Sequence, residues 1–264
     1  MLRTRFAALA ASLAATFGTI AAGAADYVAL PGGTFTSVLP ADGKSADAVV
    51  APFRLRVTPV TNAEFLAFVR AHPDWRRDRI AVIFAEQRYL SSWAAADALG
   101  ADALADQPVT QVSWFAAEAF CESEGARLPT WYEWEFAAAA DETRPDARND
   151  PAWRERILSW YARPSTEPLV AVGGEPNFYR VRDLHGLVWE WVDDFNALLV
   201  SADNRDQGDP DLLRFCGAGA ITLQQRENYA VLMRIAMLSS LKAADTTVNL
   251  GFRCAIPSAA EITR

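Results

Sequence analysis

Apolar and polar residues alternate in short runs near the start of the chain, and these runs predict its first strands. Residues 27–36 alternate around a Pro-Gly-Gly sequence, which predicts a β-hairpin. Residues 53–57 alternate again. Thr61 and Glu64 then form a capping-box pattern before an apolar stripe, which predicts a helix that ends near Arg70.

Two further helices are predicted in the middle of the chain. Ser113 is a suitable N-cap for a helix over residues 114–124, and Thr130 opens a second capping-box pattern for a helix over residues 131–140. Residues 141–158 are polar and punctuated by proline, so we expect a loop there.

The C-terminal part has helical spacing over residues 224–238 and an apolar strand pattern over residues 249–255. Short strands, a few helices and long loops in one chain are typical of the α+β class rather than of a parallel α/β protein.

The N-terminus has the pattern of a secretory signal peptide. Arg3 and Arg5 precede an uncharged apolar run over residues 6–22, and small residues follow it. A membrane anchor is the alternative, but polar residues interrupt the run and its small-residue end suits cleavage. We therefore expect a signal peptide over residues 1–25 and one domain over residues 26–264. The protein would be periplasmic or secreted, with no membrane span after cleavage.

The chain is acidic, and its acidity limits the partners we expect. Its formal charge is −8 at pH 7, and removal of the predicted signal peptide takes away two arginines and no acidic residue, which leaves −10. An acidic surface argues against nucleic acid and anionic lipid as partners.

The stretch from Asp183 to Phe195 contains a Trp-Glu-Trp sequence and a candidate metal site. Alternation puts the two tryptophans on one face of an extended segment and Glu190 on the other. Asp183, Glu190 and the backbone carbonyls of Gly186 and Val188 would supply only oxygen ligands, which is the set that calcium prefers. The alternative is a strand end with a solvated glutamate.

Three cysteines allow one internal disulfide and leave one thiol over. Cys121 follows a helical pattern and Cys254 lies in the last apolar strand, so these two are candidates for a long-range bridge. Cys216 would then be either a reactive thiol or a buried and inert one.

Several fragments, taken together and in order, resemble formylglycine-generating enzymes, which are also called sulfatase-modifying factors. The resemblance covers about residues 27–256 and rests on these fragments: Pro59-Val-Thr-Asn-Ala-Glu-Phe65, Pro108-Val-Thr-Gln-Val-Ser-Trp114, Cys121, Arg127-Leu-Pro-Thr130 with Trp134-Glu-Phe136, Gly186 with Val188-Trp-Glu-Trp191, and Gly251-Phe-Arg-Cys-Ala255.

This resemblance implies a C-type-lectin-like α+β fold with little regular secondary structure. It also implies a disulfide between Cys121 and Cys254. A calcium site is implied as well, with ligands that match Asp183, Gly186, Val188 and Glu190, all within the stretch described above. Leu187 stands where the family usually has asparagine, which bears on neighbouring hydrogen bonds more than on the ion.

The chain departs from the family at the catalytic centre. Family enzymes that oxidise a substrate cysteine carry two cysteines five residues apart, which bind copper through soft thiolates. The matching positions lie near Gln225 and Ala230, and residues 217–253 contain no cysteine. Cys216 alone does not supply two thiolates, so we do not expect copper.

Other metal centres are poorly supplied with ligands, because an iron site of two histidines and one carboxylate would need both histidines of the chain to converge. The only histidines are His72, which we expect on the surface, and His185, for which we expect a structural hydrogen bond.

Two kinds of function fit these patterns. The first is an accessory, maturation or binding factor for a periplasmic protein or peptide client. The second is an oxidoreductase of the same fold with chemistry that uses no thiolate pair, as in the pyoverdine-maturation branch of the family. Candidate residues for such chemistry are Cys216, Gln225, Arg226, Glu227, Tyr229 and Arg234, unless they only form the polar face of a helix.

Overall fold

Short strands and a few helices are spread through the computed structural model, which describes residues 26–37, 47–162, 167–196 and 229–258. The strands are β1 (Tyr27–Leu30), β2 (Gly33–Thr36), β3 (Asp47–Val50), β4 (Phe53–Arg56), β5 (Trp189–Glu190), β6 (Leu250–Gly251) and β7 (Ala255–Pro257). The helices are α1 (Asn62–Ala71), a 3-10 turn (Pro73–Trp75), α2 (Trp114–Ser123), α3 (Trp131–Ala138), α4 (Pro151–Tyr161) and α5 (Tyr229–Ser239). This mixture confirms the α+β class.

The strands form three small sheets, and their pairing corrects the predicted hairpin. β1 pairs with β4, and β4 pairs with β7, both antiparallel, whereas β2 pairs with β3 in a separate sheet. Gly32 and Gly33 both have positive φ, so the chain turns sharply between β1 and β2 and leads them into different sheets. The expected strands are present, but the expected pairing of β1 with β2 is wrong.

The last predicted strand is divided in two. β6 pairs with β5 in parallel, and β7 joins the sheet of β1 and β4 after a short break that contains Cys254. The C-terminal segment therefore connects the Trp-Glu-Trp stretch to the N-terminal sheet.

The predicted N-caps are present in the structure. The side chain of Thr61 accepts from the backbone of Glu64 in a complete capping box, and Thr130 and Glu133 form a second one. Ser113 accepts from the backbone N–H of Ala116. These contacts involve residues three positions apart, so short-range sequence reasoning finds them.

Helix α4 corrects the expectation of a loop over residues 141–158. Asp150 caps the helix by accepting from the N–H groups of Ala152 and Trp153, and Pro151 occupies its first turn. Trp153 and Ile157 are buried, although most other side chains of α4 are polar or exposed. The polar composition concealed the helix because only a narrow face of it is covered. The predicted start of α5 at residue 224 lies outside the described residues.

The core is built around aromatic rings from distant parts of the chain. The ring of Phe65 in α1 lies 5.8 Å from that of Phe120 in α2 and 6.0 Å from that of Phe252 after β6. Next to these rings, Cys121 and Cys254 form a disulfide across 133 positions of sequence, as predicted. The bridge ties α2 to the C-terminal segment.

No helix among the described residues is both long and apolar enough to cross a bilayer. The predicted signal peptide, residues 1–25, lies outside that part of the chain.

We expect that replacing both Cys121 and Cys254 with serine lowers the free energy of unfolding by about 2–5 kcal/mol, because a bridge that closes a long loop restricts the unfolded chain. Urea unfolding with and without reductant measures this effect. The control is Cys216→Ser, which should keep the wild-type sensitivity to reductant. A wild-type midpoint that does not change on reduction would contradict the assignment.

Candidate functional site

Strand β5 places the Trp-Glu-Trp sequence against the C-terminal segment. The backbone N–H groups of Trp189 and Trp191 donate to the carbonyls of Asn249 and Gly251, at 2.8 and 3.0 Å. A Cβ atom at Gly251 would lie 2.6 Å from the carbonyl oxygen of Val109, so only glycine permits this close approach.

Glu190 is fully buried and forms an ion pair with the equally buried Arg253. The Nε and Nη2 atoms of Arg253 donate to the two carboxylate oxygens at 2.8 and 2.7 Å, and the indole N–H of Trp134 donates to Oε2 at 2.9 Å. The alternative of a solvated glutamate is therefore wrong, because β6 and its following residues cover this face of β5.

Arg253 also connects Glu190 to the backbone of two other segments. Its Nη1 atom donates to the carbonyls of Arg56 and Val57, both at 3.1 Å, and its Nη2 atom donates to the carbonyl of Arg182 at 2.9 Å. One guanidinium group therefore fixes the end of β4 and the approach to β5 at the same point.

Arg234 from α5 joins this group from the other side of Trp134. Its side chain is buried, its guanidinium carbon lies 3.5 Å from the centre of the Trp134 ring, and its Nη2 atom donates to the carbonyl of Glu190 at 2.6 Å. A guanidinium stacked on an indole gains a cation–π attraction. These contacts give Arg234 a structural role in holding α5 against β5.

The other predicted catalytic candidates are not brought to this group by any described contact. Cys216, Gln225, Arg226 and Glu227 lie outside the described residues, and Tyr229 starts α5 without a described side chain. Of the six candidate residues, only Arg234 has a described side chain, and it is buried.

Asp183 lies partly buried at the beginning of the Trp-Glu-Trp stretch and holds a glycine loop. Its two carboxylate oxygens accept from the backbone N–H groups of Gly173 and Gly174, at 2.7 and 3.0 Å. A Cβ atom at Gly174 would lie only 2.6 Å from Asp183 Oδ1. The close approach of the loop to this carboxylate therefore requires glycine at that position.

The two carboxylates predicted to bind calcium differ in their contacts: Asp183 accepts from backbone N–H groups, whereas Glu190 is already paired with Arg253. Each oxygen of Asp183, and Oε1 of Glu190, accepts one hydrogen bond and keeps a further lone pair. Oε2 of Glu190 already accepts from Arg253 and Trp134, so Glu190 would contribute through Oε1 alone. Within the described ranges, no group of three His, Cys, Asp or Glu side chains is close enough to hold a metal, so two backbone carbonyls would have to complete the site.

The two histidines lie in unrelated surroundings, which removes support for an iron centre built on both. His72 is exposed at the end of α1, where its ring lies 5.0 Å from that of Phe68. His185 lies between Trp134 and Trp153, with ring distances of 5.7 and 5.5 Å. The exposed position of His72 confirms the surface prediction.

His185 forms the structural hydrogen bond that was expected. Its Nε2 atom lies 2.9 Å from the carbonyl oxygen of Ala138 and donates to it, because a carbonyl only accepts. Burial lowers the pKa of His185 to about 4. The imidazole is therefore neutral at pH 7, and its buried Nδ1 atom has no hydrogen-bond partner among the described residues.

A cavity of about 290 Å³ opens beside His185, between α4 and the chain that leads to β5. Its lining includes Asp141, Glu142, Trp153, Arg156, Trp160, Asn177, Glu175, Asp183 and His185. The expectation of a loop over residues 141–158 conceals this cavity, because α4 forms one of its walls. The buried Trp153 and the partly buried Trp160, seven positions apart on α4, were the available signal.

Comparison with known proteins identifies the family of this chain. Residues 14–258 match the family model described as sulfatase-modifying factor enzyme 1-like domain. A formylglycine-generating enzyme from Streptomyces coelicolor is 30% identical over 86% of this chain and 88% of its own length. The chain belongs to the sulfatase-modifying factor family.

Other members of the family differ in the activity that their names state. The mouse protein named inactive Cα-formylglycine-generating enzyme 2 is 28% identical over 86% of this chain and 84% of its own length. A hercynine oxygenase from Mycobacterium tuberculosis is 32% identical over 54% of this chain and 38% of its own length. Among solved structures, PvdO from Pseudomonas aeruginosa aligns with a TM-score of 0.49 at 19% identity, covering 88% of this chain and 94% of its own.

We expect Glu190→Gln to lower the free energy of unfolding by about 3–5 kcal/mol, because it leaves the buried charge of Arg253 without a counter-charge. Urea unfolding followed by tryptophan fluorescence measures the change. Glu142→Gln is the matched control, since its ion pair with Arg156 is exposed and should contribute little. Equal effects of the two substitutions would show that the buried pair is not special.

Proposed function

We propose that this protein is a binding or accessory factor for a periplasmic protein or peptide client, and that it does not oxidise cysteine to formylglycine. The observation that carries the proposal is the use of its thiols. Cys121 and Cys254 are consumed by the disulfide, and the sequence contains only one other cysteine, Cys216. One chain therefore supplies one thiolate, against the two that the family's copper site uses, which supports the proposal.

The relatives support a family scaffold that persists with and without catalysis. The mouse relative carries the word inactive in its name, whereas the Streptomyces coelicolor relative is named as an enzyme, and both align with more than four-fifths of this chain. Loss of the thiol pair leaves the buried pair of Glu190 and Arg253 intact, so the scaffold does not need the catalytic centre to remain folded.

An oxidoreductase with different chemistry is the second candidate. The match to hercynine oxygenase favours it, although that match covers just over half of this chain. Arg234, the one candidate with a described side chain, stacks on Trp134 in the interior and does not line the cavity, which weighs against a catalytic role for it.

The proposed compartment is the periplasm or the extracellular space. The signal-peptide pattern of residues 1–25 supports this location, and so does the disulfide, because disulfides persist in oxidising compartments.

The copper-loaded mature protein should not convert a peptide carrying the sulfatase cysteine motif into an aldehyde. Mass spectrometry of the peptide after reaction with an aldehyde probe measures the product, and the Streptomyces coelicolor relative serves as the positive control. The double variant Gln225→Cys with Ala230→Cys restores the spacing of the family pair and should gain tight Cu(I) binding. Aldehyde formed by the wild type, and lost in Cys216→Ala, would refute the proposal.

The binding half of the proposal is tested separately. Affinity capture from periplasmic extract with immobilised mature protein should retain a defined client, which Trp160→Ala retains less well because Trp160 lines the cavity. Glu155→Gln, an exposed position on the same helix that does not line the cavity, is the control. Equal capture by all three proteins would place the client elsewhere on the surface.

A structural calcium ion is proposed for Asp183, Glu190 and the carbonyls of Gly186 and Val188. A bound calcium ion would link Asp183, at the start of the Trp-Glu-Trp stretch, to Glu190 in β5. We expect chelator to lower the melting temperature and added calcium to restore it, because a ligand that binds only the folded state stabilises it.

Asp183→Ala is the informative variant for this ion. It also removes the two backbone contacts to the glycine loop, so it should be less stable in any buffer. The decisive readout is the difference between calcium and chelator, which should vanish in the variant. An equal melting temperature of the wild type in both buffers would argue against the ion.

A further inference from the structure

Three consecutive large apolar side chains are exposed in the chain between α1 and α2. Val82 is 88% exposed, Ile83 is 69% exposed and Phe84 is 38% exposed. Single exposed apolar residues are common on protein surfaces, whereas contiguous groups mark contact surfaces, because burial of apolar surface drives association. These three residues are called the apolar tip below.

The fold holds the apolar tip at both of its ends. Before the tip, the N–H of Ile80 donates to the carbonyl of Arg76 at 2.9 Å, and after it the N–H of Glu86 donates to the carbonyl of Ala244 at 2.9 Å. Thr246 donates to Oε1 of Glu86 through its N–H and its hydroxyl, at 2.9 and 2.8 Å. The tip is therefore presented by an anchored segment, and a partner that binds it has little backbone freedom to remove.

Aromatic rings continue the apolar surface from the tip onto α2. The ring of Phe84 lies 5.9 Å from that of Trp75 and 5.3 Å from that of Phe115, and the ring of Phe115 lies 5.6 Å from that of Trp114. Trp75, Trp114 and Phe115 are each partly exposed. This surface shares no residue with the cavity on α4 or with the proposed calcium ligands.

The charge beside the apolar tip is positive, although the protein is acidic. Residues 76–88 contain four arginines and two acidic residues, which leaves a formal charge of +2, whereas the predicted mature chain carries −10. Both acidic residues of this segment are already paired, Asp78 with Arg76 at 3.0 Å and Glu86 with Arg88 at 3.1 Å.

Arg79 is the cation that remains for a partner. It is exposed, lies three positions before the tip and forms no ion pair within the described ranges. Arg77 instead donates to two backbone carbonyls, at 2.8 and 3.1 Å. On the neighbouring segment, Lys242 and Asp245 contribute opposite charges. The apolar tip is therefore bordered by one free positive charge, and a carboxylate is its complement.

We propose that the apolar tip docks an apolar segment of the client protein that carries carboxylate side chains at its border. This proposal rests on the proposed binding function and names the chemistry of a contact surface for the client. Val82, Ile83 and Phe84 pack against the client's apolar residues, and Arg79 pairs with a carboxylate at the border, which orients the segment. The cavity on α4 is a separate point of contact.

The charge of the whole chain decides between possible occupants. An anionic lipid surface and a second copy of this chain would both bring extended negative charge against a body of −10, which repels them. A short client segment meets only the positive charge beside the tip, because at about 0.15 M salt charges act over about 8 Å.

The test is an NMR titration of the mature protein, labelled at valine and isoleucine methyl groups, in about 0.15 M salt. The probe is the peptide acetyl-Glu-Leu-Leu-Leu-Glu-amide, and two matched peptides replace both glutamates with glutamine or with lysine. The methyl signals of Val82 and Ile83 report binding directly. We expect the glutamate peptide to bind about threefold more tightly than the glutamine peptide, and the lysine peptide to bind most weakly.

Variants separate the apolar contact from the charge. Val82→Ser combined with Ile83→Ser should weaken all three peptides at least about tenfold, because it removes the apolar contact. Arg79→Gln should reduce the affinity of the glutamate peptide to that of the glutamine peptide and leave the latter unchanged. The control is Val49→Ser, at an exposed position on β3, which should keep the wild-type affinities.

The proposal is overturned if the methyl signals of Val82 and Ile83 do not shift at millimolar glutamate peptide, or if the lysine peptide binds as tightly as the glutamate peptide. Two other results assign the tip to a different occupant. The first is sedimentation of the wild type, but not of the double serine variant, with vesicles of phosphatidylglycerol and phosphatidylcholine. The second is a concentration-dependent dimer that the same variant loses.

Each of these results leaves the test for aldehyde formation and the capture experiment with Trp160→Ala untouched. Failure of this surface and failure of the accessory role are therefore told apart.

Discussion

The buried ion pair between Glu190 and Arg253 is the interaction on which the centre of this protein depends. Two charges in a dry interior are tolerated when they neutralise each other and make further hydrogen bonds. Arg253 meets this requirement by donating to three backbone carbonyls besides the carboxylate, and Glu190 meets it with the indole of Trp134. Strand β5, helix α3, the end of β4 and the C-terminal segment are thereby fixed around one point.

This arrangement does not depend on the thiol pair of the family's enzymes. The Glu190–Arg253 pair, the disulfide and the aromatic core use neither of the positions matched to the catalytic thiols, which are near Gln225 and Ala230. Ala230 lies in α5, and Gln225 lies outside the described residues. A chain without those thiols keeps the contacts of Glu190 and Arg253. A folded surface with a cavity then remains available for binding, which is the function proposed above.

Short-range signals were predicted well, and the two failures have different causes. The capping boxes at Thr61 and Thr130 depend on residues three positions apart, and both are present. The hairpin expected over residues 27–36 is absent because β1 finds a better partner in β4, and α4 was missed because its covered face is narrow. For β1 a contact from elsewhere in the fold therefore decided between local alternatives, whereas α4 has local capping signals at Asp150 and Pro151.

The amino-acid sequence by itself determined the family, the α+β class, the acidic charge and the small number of cysteines, because these follow from composition and from motifs in order. Only the tertiary structure decided that Glu190 is buried rather than solvated, since its partner Arg253 lies 63 positions away. It also decided that α4 and the approach to β5 enclose a cavity. No local period encodes such pairings, because they exist only once the core has brought distant segments together.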